Sequence, residues 1–345
     1  MTADIEQSAL DAASQAAQSG NFREAVAILM RANRQHRSGR LEQEILNYRI
    51  RGAEGRSTAE VAWDTHHDGR FEDTEGLPQI AAADLSVDAL RAGILGKGGL
   101  IVRGLLNEER IEEAKHCIRS ALLARKEASE AGEDTGNPWY QRPESVAGGP
   151  VQFGSIGKNQ YTDTGSVWAV DSPPAAFSLI ELYKQLGLPD LLQGYFGEEA
   201  LLSVRKWVLR CVPPNNGAES GWHQDGQFMG DGIRTVNLWI ALSDCGEGAD
   251  APGIDIVADN TREIYETGTQ GAVFDWTVGQ GLVDEIGKTH PVQRPHFQPG
   301  DAVFFDHFNL HRTGFGLSDV NLRYAVESWF FASSLAPAKQ QPLLF

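Results

Sequence analysis

A histidine and an aspartate two positions apart give the chain its sharpest chemical signal. They are His223 and Asp225, within the segment 221–226. In an extended segment, residues i and i+2 face the same side, so the imidazole and the carboxylate can point at one site. The pair alone is a weak signal, and two ligands do not hold a metal firmly. A third ligand must come from elsewhere in the fold.

The stretch 299–311 offers that third ligand. A Pro-Gly-Asp turn leads into an apolar strand and then to two histidines, His307 and His311. Two imidazoles and one carboxylate form the facial triad of non-haem Fe(II) oxygenases, which leaves coordination positions open. Arg323 follows at the start of the next predicted strand, where its guanidinium could bind a carboxylate that enters beside the metal.

The elements that must position these side chains are strands. The period-2 pattern predicts strands at 201–212, 235–242, 253–257, 302–305 and 323–331. Many short strands with few intervening helices predict a mainly β fold, an antiparallel barrel or sandwich. The strand before the His-x-Asp pair places Lys206 and Arg210 on one face and Trp207 on the other, and its alternation leaves open which face looks inward.

The N-terminal part has a different pattern. Helical spacing and short Gly-containing turns predict a helical arm at 1–53, in which the segment 20–25 resembles part of a tetratricopeptide repeat. The arm either packs on the main domain or on a second subunit, or it binds a partner. We expect a linker at 54–84, the main domain at 85–335 and a C-terminal tail at 336–345.

Composition narrows the function classes. The chain has 30 Lys and Arg against 47 Asp and Glu, a net charge of −17, which disfavours binding to nucleic acid or to an anionic membrane surface. Cys117, Cys211 and Cys245 lie far apart, which excludes a disulfide framework. The acidic start and the absence of a long apolar run predict a cytoplasmic protein.

Residues 223–331 resemble the phytanoyl-CoA dioxygenase family of Fe(II)/2-oxoglutarate-dependent oxygenases. The likeness extends weakly back to about residue 85 and does not cover 1–80. It implies a double-stranded β-helix (jelly roll) core with flanking helices. It also implies a catalytic metal triad of His223, Asp225 and His311, in which the small residues after His311 favour it over His307. Arg323 would bind 2-oxoglutarate, Trp239 would line the cosubstrate site, and Lys206 and Arg210 could lie near it.

The resemblance implies the cofactors Fe(II), 2-oxoglutarate and O₂. The carboxylate of Asp225 favours a hydroxylase over a halogenase, because the halogenating branch has a small residue there. Aromatic residues indicate a small organic substrate: Trp139, Tyr140, Phe153, Tyr161, Trp168, Trp207 and Phe228. The alternatives are a non-catalytic jelly-roll binding protein, a metal-dependent isomerase or hydrolase, and an oxygenase whose protein- or carrier-bound substrate docks on the helical arm. The arm could also mediate a homodimer.

Overall fold

A computed structural model describes residues 2–54, 60–131, 135–141, 165–215 and 220–345. Two of the aromatic residues assigned to substrate binding, Phe153 and Tyr161, lie outside these ranges. Four others that the structure describes are core residues or pack against the core, Tyr140 among them. Trp168 and Trp207 are buried, and the Trp207 Nε1 donates to the Tyr183 hydroxyl at 3.2 Å. Trp139 packs edge-on against His116, with ring centroids 5.2 Å apart.

The described helices form an N-terminal group, a group that covers the larger sheet and two short helices near the end of the chain. They are Thr2–Gln18 (α1), Phe22–Gln35 (α2), Gly39–Ala53 (α3), Val87–Lys97 (α4), Glu108–Ala131 (α5), Pro173–Gln185 (α6), Leu188–Phe196 (α7), Gly226–Met229 (α8) and Gln280–Ile286 (α9). Asn107 caps the N-terminus of α5, because its Oδ1 accepts from the Arg110 amide at 3.0 Å. None of the described helices is both long and apolar enough to cross a membrane.

The strands lie mainly in the second half of the chain. They are Gln79–Ala81 (β1), Gly99–Arg103 (β2), Ser166–Trp168 (β3), Ala200–Val212 (β4), Thr235–Ala241 (β5), Gly253–Val257 (β6), Val292–Gln293 (β7), Ala302–Phe305 (β8), His311–Gly314 (β9), Arg323–Ala332 (β10) and Pro342–Leu344 (β11). All five predicted strands are present, with ends that differ by at most one residue.

The described strands form two sheets. The larger has eight strands in the order β1-β2-β8-β5-β10-β4-β11, with β3 also paired to β4, and the smaller has the order β7-β6-β9. All pairs are antiparallel except β1 with β2. Alternate residues of the larger sheet serve two cores. Leu238 and Phe304 pack with the helices, whereas Trp239 and Val303 pack with Ile254 of the smaller sheet.

The expectation of a mainly β chain does not hold, because the described helices contain more residues than the strands. Helix α6 was missed because it is buried along most of its length, so its sequence lacks the polar face that produces a helical period. The expected C-terminal tail is also different. Its last residues form β11, which pairs with β4 of the larger sheet.

The N-terminal helices pack on the rest of the chain. Arg49 of α3 is buried, and its guanidinium donates to the Leu344 carbonyl of β11 at 2.7 Å. Arg34 of α2 donates through Nε to Glu181 of α6 at 2.5 Å. Part of the expected linker is in contact as well, because Trp63 Nε1 donates to the Tyr195 carbonyl at 2.9 Å. The helical arm therefore packs on the domain that follows it.

One glycine connects helix α4 to the segment that carries the candidate ligands. Gly98 ends α4 with a left-handed φ of +81°, and a Cβ there would clash with the carbonyl of Asp259. Its own carbonyl accepts from Asn309 Nδ2 at 3.0 Å. Asn309 precedes His311 by two residues, so the close approach at Gly98 helps to place β9.

We predict that Gly98→Ala lowers the free energy of unfolding more than Gly104→Ala does. Both glycines have positive φ, but nothing lies within 4 Å of a Cβ built at Gly104. The control should lose about 1–2 kcal/mol from backbone strain alone. Gly98→Ala should lose a further ~1–3 kcal/mol from the clash with Asp259. Equal losses in urea unfolding would contradict the close approach.

Candidate metal centre

Three side chains from separate parts of the fold come together between the two sheets. The possible ligand atoms of His223, Asp225 and His311 all lie within 4.8 Å of one another. Among the described residues, these form the only group of three or more His, Cys, Asp or Glu side chains that cluster closely enough to share one metal ion. The three residues predicted from the sequence as a triad are therefore adjacent in space.

The two histidines are brought together by backbone pairing. The His223 amide donates to the His311 carbonyl, and the His311 amide donates to the His223 carbonyl, each at 3.0 Å. Residues that exchange both hydrogen bonds across an antiparallel pair present their side chains on the same face. The ring centroids are accordingly 4.5 Å apart. One bridge on the other edge of β9, whose His311 also pairs with Ile256 of β6, thus fixes two candidate ligands at once.

Asp225 reaches the site by a different route from the extended segment expected. Its φ of −67° and ψ of −20° are helical, and it is the residue before α8. The turn is held by Gln224, which is buried and whose Nε2 donates to the carbonyls of Phe308 at 2.6 Å and Glu263 at 2.9 Å. Its Oε1 accepts from the Tyr265 amide at 2.7 Å. Gln224 is therefore a positioning residue that the His-x-Asp pattern did not reveal.

The hydrogen bonds of the histidines determine which ring nitrogen is available. His223 Nδ1 lies 3.0 Å from the Gly221 carbonyl, and His311 Nδ1 lies 3.1 Å from the Asn309 carbonyl. A carbonyl only accepts, so Nδ1 carries the hydrogen and Nε2 keeps its lone pair for a metal. Burial lowers the pKa of His223 and lowers that of His311 to about 4, so both rings are neutral at neutral pH.

The carboxylate of Asp225 has one satisfied oxygen and one unsatisfied oxygen. Oδ1 accepts from Lys206 Nζ at 2.6 Å, whereas the buried Oδ2 has no hydrogen-bond partner among the described residues and lies 3.7 Å from His311 Nε2. Burial acts to raise the pKa of Asp225, but the Lys206 ammonium and the two imidazoles lower it overall. A buried carboxylate oxygen without a partner is costly unless a cation binds it. Two neutral imidazoles and this oxygen suit Fe(II).

His307, the competing candidate, is already engaged. Its Nδ1 lies 2.9 Å from Thr235 Oγ1, and its Nε2 lies 3.3 Å from the Asp231 carbonyl. Neither ring nitrogen belongs to the cluster of His223, Asp225 and His311. The structure thus separates the two histidines that the sequence pattern offered as third ligand.

A cavity of about 70 Å³ adjoins the triad. Four of its lining residues carry positive charge, Lys206, Arg210, Arg312 and Arg323, and one carries negative charge, Glu327. Arg312 pairs with Asp255, and the carboxylate of Asp225 lies next to Lys206. Arg323 is buried, and its guanidinium donates to the Gly253 carbonyl at 2.5 Å. Its Nε has no hydrogen-bond partner within the part of the chain that the structure describes. Burial lowers its pKa to about 10, so it stays charged at neutral pH. Its guanidinium lies 5.6 Å from the Trp239 ring centroid.

The inward face of β4 is the one with Lys206 and Arg210, since both border this cavity. Arg210 donates to Glu327 of β10 through Nε at 2.9 Å. The sequence did not reveal Glu327 or Asn237 as residues of the site. Asn237 is buried, and no described residue hydrogen-bonds to its Oδ1. Each of the two is a polar residue in the middle of an apolar strand, β5 or β10. That pattern could have identified the strand face that is turned toward the cavity.

Comparisons with known proteins were made for the whole chain. Residues 187–321 match the family model described as Phytanoyl-CoA dioxygenase (PhyH). A search of curated proteins finds no match. Among solved structures, EctD from S. alaskensis with 2-oxoglutarate and 5-hydroxyectoine is similar at 16% identity and a TM-score of 0.48, covering 74% of this chain and 76% of that chain.

Two further structures show comparable likeness. The non-haem α-ketoglutarate-dependent carbocyclase SnoK from nogalamycin biosynthesis has 15% identity and a TM-score of 0.45, covering 73% of this chain and 86% of that chain. EvdO2 from Micromonospora carbonacea var. aurantiaca complexed with 2-oxoglutarate has 14% identity and a TM-score of 0.44, covering 72% of this chain and 89% of that chain.

We predict that His311→Gln weakens Fe(II) binding by more than roughly 100-fold. Removal of a residue that only hydrogen-bonds to a metal ligand lowers metal affinity by about 10–100-fold, and loss of the ligand itself should exceed this. His307→Gln is the matched control and should bind iron as the unmodified chain does, because its ring nitrogens face Thr235 and the Asp231 carbonyl. Anaerobic isothermal titration with Fe(II) measures both. Loss of binding in the control with retention in His311→Gln would reverse the assignment.

Proposed function

We propose that this chain, whose residues 187–321 match the family model described as Phytanoyl-CoA dioxygenase (PhyH), is an Fe(II)/2-oxoglutarate-dependent dioxygenase that hydroxylates a C–H bond of a small organic substrate. The observation that carries the proposal is the clustering of His223, Asp225 and His311 beside a buried arginine. The cofactors predicted from the sequence, Fe(II) and 2-oxoglutarate, agree with the family match and with this cluster.

In this proposal each residue has one task. Fe(II) is held by Nε2 of His223 and His311 and by Asp225 Oδ2, the nitrogen and oxygen atoms that their hydrogen bonds leave available. When bound, iron and 2-oxoglutarate together activate O₂, with release of succinate and CO₂. Arg323 binds the distal carboxylate of the cosubstrate, supported by its unpartnered Nε. The ring of Trp239 packs against the Arg323 guanidinium and limits its movement.

The charge of the cavity supports a dianionic cosubstrate. Its cationic side chains outnumber its carboxylates, and the two imidazoles are neutral. Lys206 and Arg210 contribute to this excess from β4 while they pair with Asp225 and Glu327. Both lie near the cosubstrate in our proposal, and Lys206 also keeps the Asp225 carboxylate ionised.

We further propose hydroxylation over halogenation, because the Asp225 carboxylate takes a coordination position that a halide would need. The two packed sheets would be the halves of a double-stranded β-helix, with the metal at the end where β9 meets the segment before α8. A cytoplasmic location and self-association through α1–α3 stay predictions. The packing of α3 on α6 and β11 supports a structural role for the arm over the docking of a carrier-bound substrate.

We predict that anaerobic addition of 2-oxoglutarate to the Fe(II)-loaded protein produces a weak visible charge-transfer band, and that Arg323→Gln raises the Kd for 2-oxoglutarate. Loss of a charge-assisted hydrogen bond costs about 1.5–3 kcal/mol, a factor of roughly 10–100 in affinity.

Arg294→Gln is the control. Its guanidinium pairs with Asp255 on the outer face of the smaller sheet, and Asp255 keeps Arg312 as a second partner. An unchanged Kd in Arg323→Gln would remove this arginine from the cosubstrate site. Absence of the band in the iron-loaded protein would contradict the proposed function.

A further inference from the structure

Three large aromatic side chains are exposed immediately beside the metal centre. Phe228, Phe274 and Trp276 have exposed fractions of 42%, 49% and 40%. The Trp276 ring centroid lies 6.0 Å from that of His223, and the Phe228 centroid lies 6.3 Å from it. We call these three residues the aromatic rim. Large apolar side chains grouped at the surface commonly mark a binding site.

The rings of the aromatic rim form one continuous surface. Phe274 and Trp276 are stacked with their planes 2° apart and centroids at 5.4 Å. Phe228 meets Trp276 at 5.5 Å with the planes tilted by 59°. The surface therefore has a flat part and an adjoining tilted ring, and it begins at one of the candidate iron ligands.

The backbone that carries the aromatic rim is tied to the metal centre on both sides. The Phe228 amide donates to the Asp225 carbonyl at 3.0 Å. On the other side, buried Thr277 donates through Oγ1 to the Phe274 carbonyl at 2.8 Å, and the Val278 amide donates to the Trp222 carbonyl at 2.8 Å. The rings are thus presented by an ordered scaffold, although their exposure costs solvation free energy.

The inner cavity is small for an organic substrate. Its volume is about 70 Å³, whereas sites for organic ligands usually measure about 300–1,000 Å³. We therefore expect the body of the substrate to lie outside this cavity, with its reacting carbon directed toward the metal. The aromatic rim is the apolar surface that adjoins His223.

The charged side chains near the aromatic rim favour a substrate of negative charge. Lys206 Nζ lies 5.6 Å from the Phe228 ring centroid, and Arg210 and Arg323 line the cavity behind it, whereas the guanidinium of Arg312 pairs with Asp255. The charges of Fe(II) and dianionic 2-oxoglutarate cancel each other, so the excess of positive side chains remains in the complete site. An anionic group is attracted there, and a cationic group is repelled.

We propose that the aromatic rim binds the flat body of a ring-containing organic acid, an aromatic or fused-ring carboxylate, and holds its reacting C–H bond at the metal centre. This rests on the proposed function and names its substrate class. Ring faces of the substrate stack on Trp276 and Phe228, and its carboxylate is oriented by the positive charge around Lys206.

The test uses the full chain loaded anaerobically with Fe(II) and 2-oxoglutarate. Three probes are titrated: 2-naphthoate, the equally flat cation 2-naphthylmethylammonium, and the flexible acid decanoate. Binding is followed by the change in the visible charge-transfer band and by tryptophan fluorescence. We expect 2-naphthoate to bind at least roughly tenfold more tightly than either other probe, because it alone has both the flat body and the negative charge.

Variants locate the binding surface. Trp276→Ala should weaken 2-naphthoate binding roughly tenfold or more, Trp276→Phe should restore most of it, and Leu123→Ala, an exposed apolar residue on α5, should change nothing. A normal band with no 2-naphthoate binding, with equal binding of all three probes, or with full binding in Trp276→Ala would overturn this inference and leave the proposed function intact. Absence of the band would overturn both.

Discussion

The reciprocal backbone hydrogen bonds between His223 and His311 are the constraint on which the site depends. They place two imidazoles on one face of an antiparallel pair and hold their Nδ1 atoms against backbone carbonyls. Neighbouring polar side chains fix the two paired segments. Gln224 ties the first to the loop after β6, and Asn309 ties the second to Gly98 and Val257. Backbone pairing therefore sets the relative position of the two histidines. The buried side-chain amides of Gln224 and Asn309 hold the paired segments in place.

The charge of the site is opposite in sign to the net charge of the chain. The protein has a net charge of −17, yet the cavity beside the triad is lined by an excess of cationic side chains. Each carboxylate in the site has a cation next to it, with Lys206 on Asp225 and Arg210 on Glu327. Such pairs keep the carboxylates ionised although they are buried. The arrangement suits a site that must accept both a divalent cation and a dianion.

The sequence allowed the triad and the central strands to be predicted, because both have local signatures. His-x-Asp, a later histidine after an apolar strand and Arg323 appear in order along the chain, and period-2 alternation marks β4, β5, β6, β8 and β10. The short strands β9 and β11 are defined by distant partners, so they carry no comparable signal. Trp207 was assigned to the substrate and is core, since an aromatic residue on a strand does not by itself show which side is filled by helices.

The most direct test of the account is anomalous diffraction at the iron edge from crystals loaded anaerobically with Fe(II) and 2-oxoglutarate. The account predicts one iron peak per chain, bonded to Nε2 of His223, Nε2 of His311 and Oδ2 of Asp225, with the distal carboxylate of 2-oxoglutarate on Arg323. An iron bound through His307, or one held by the triad with 2-oxoglutarate away from Arg323, would contradict it.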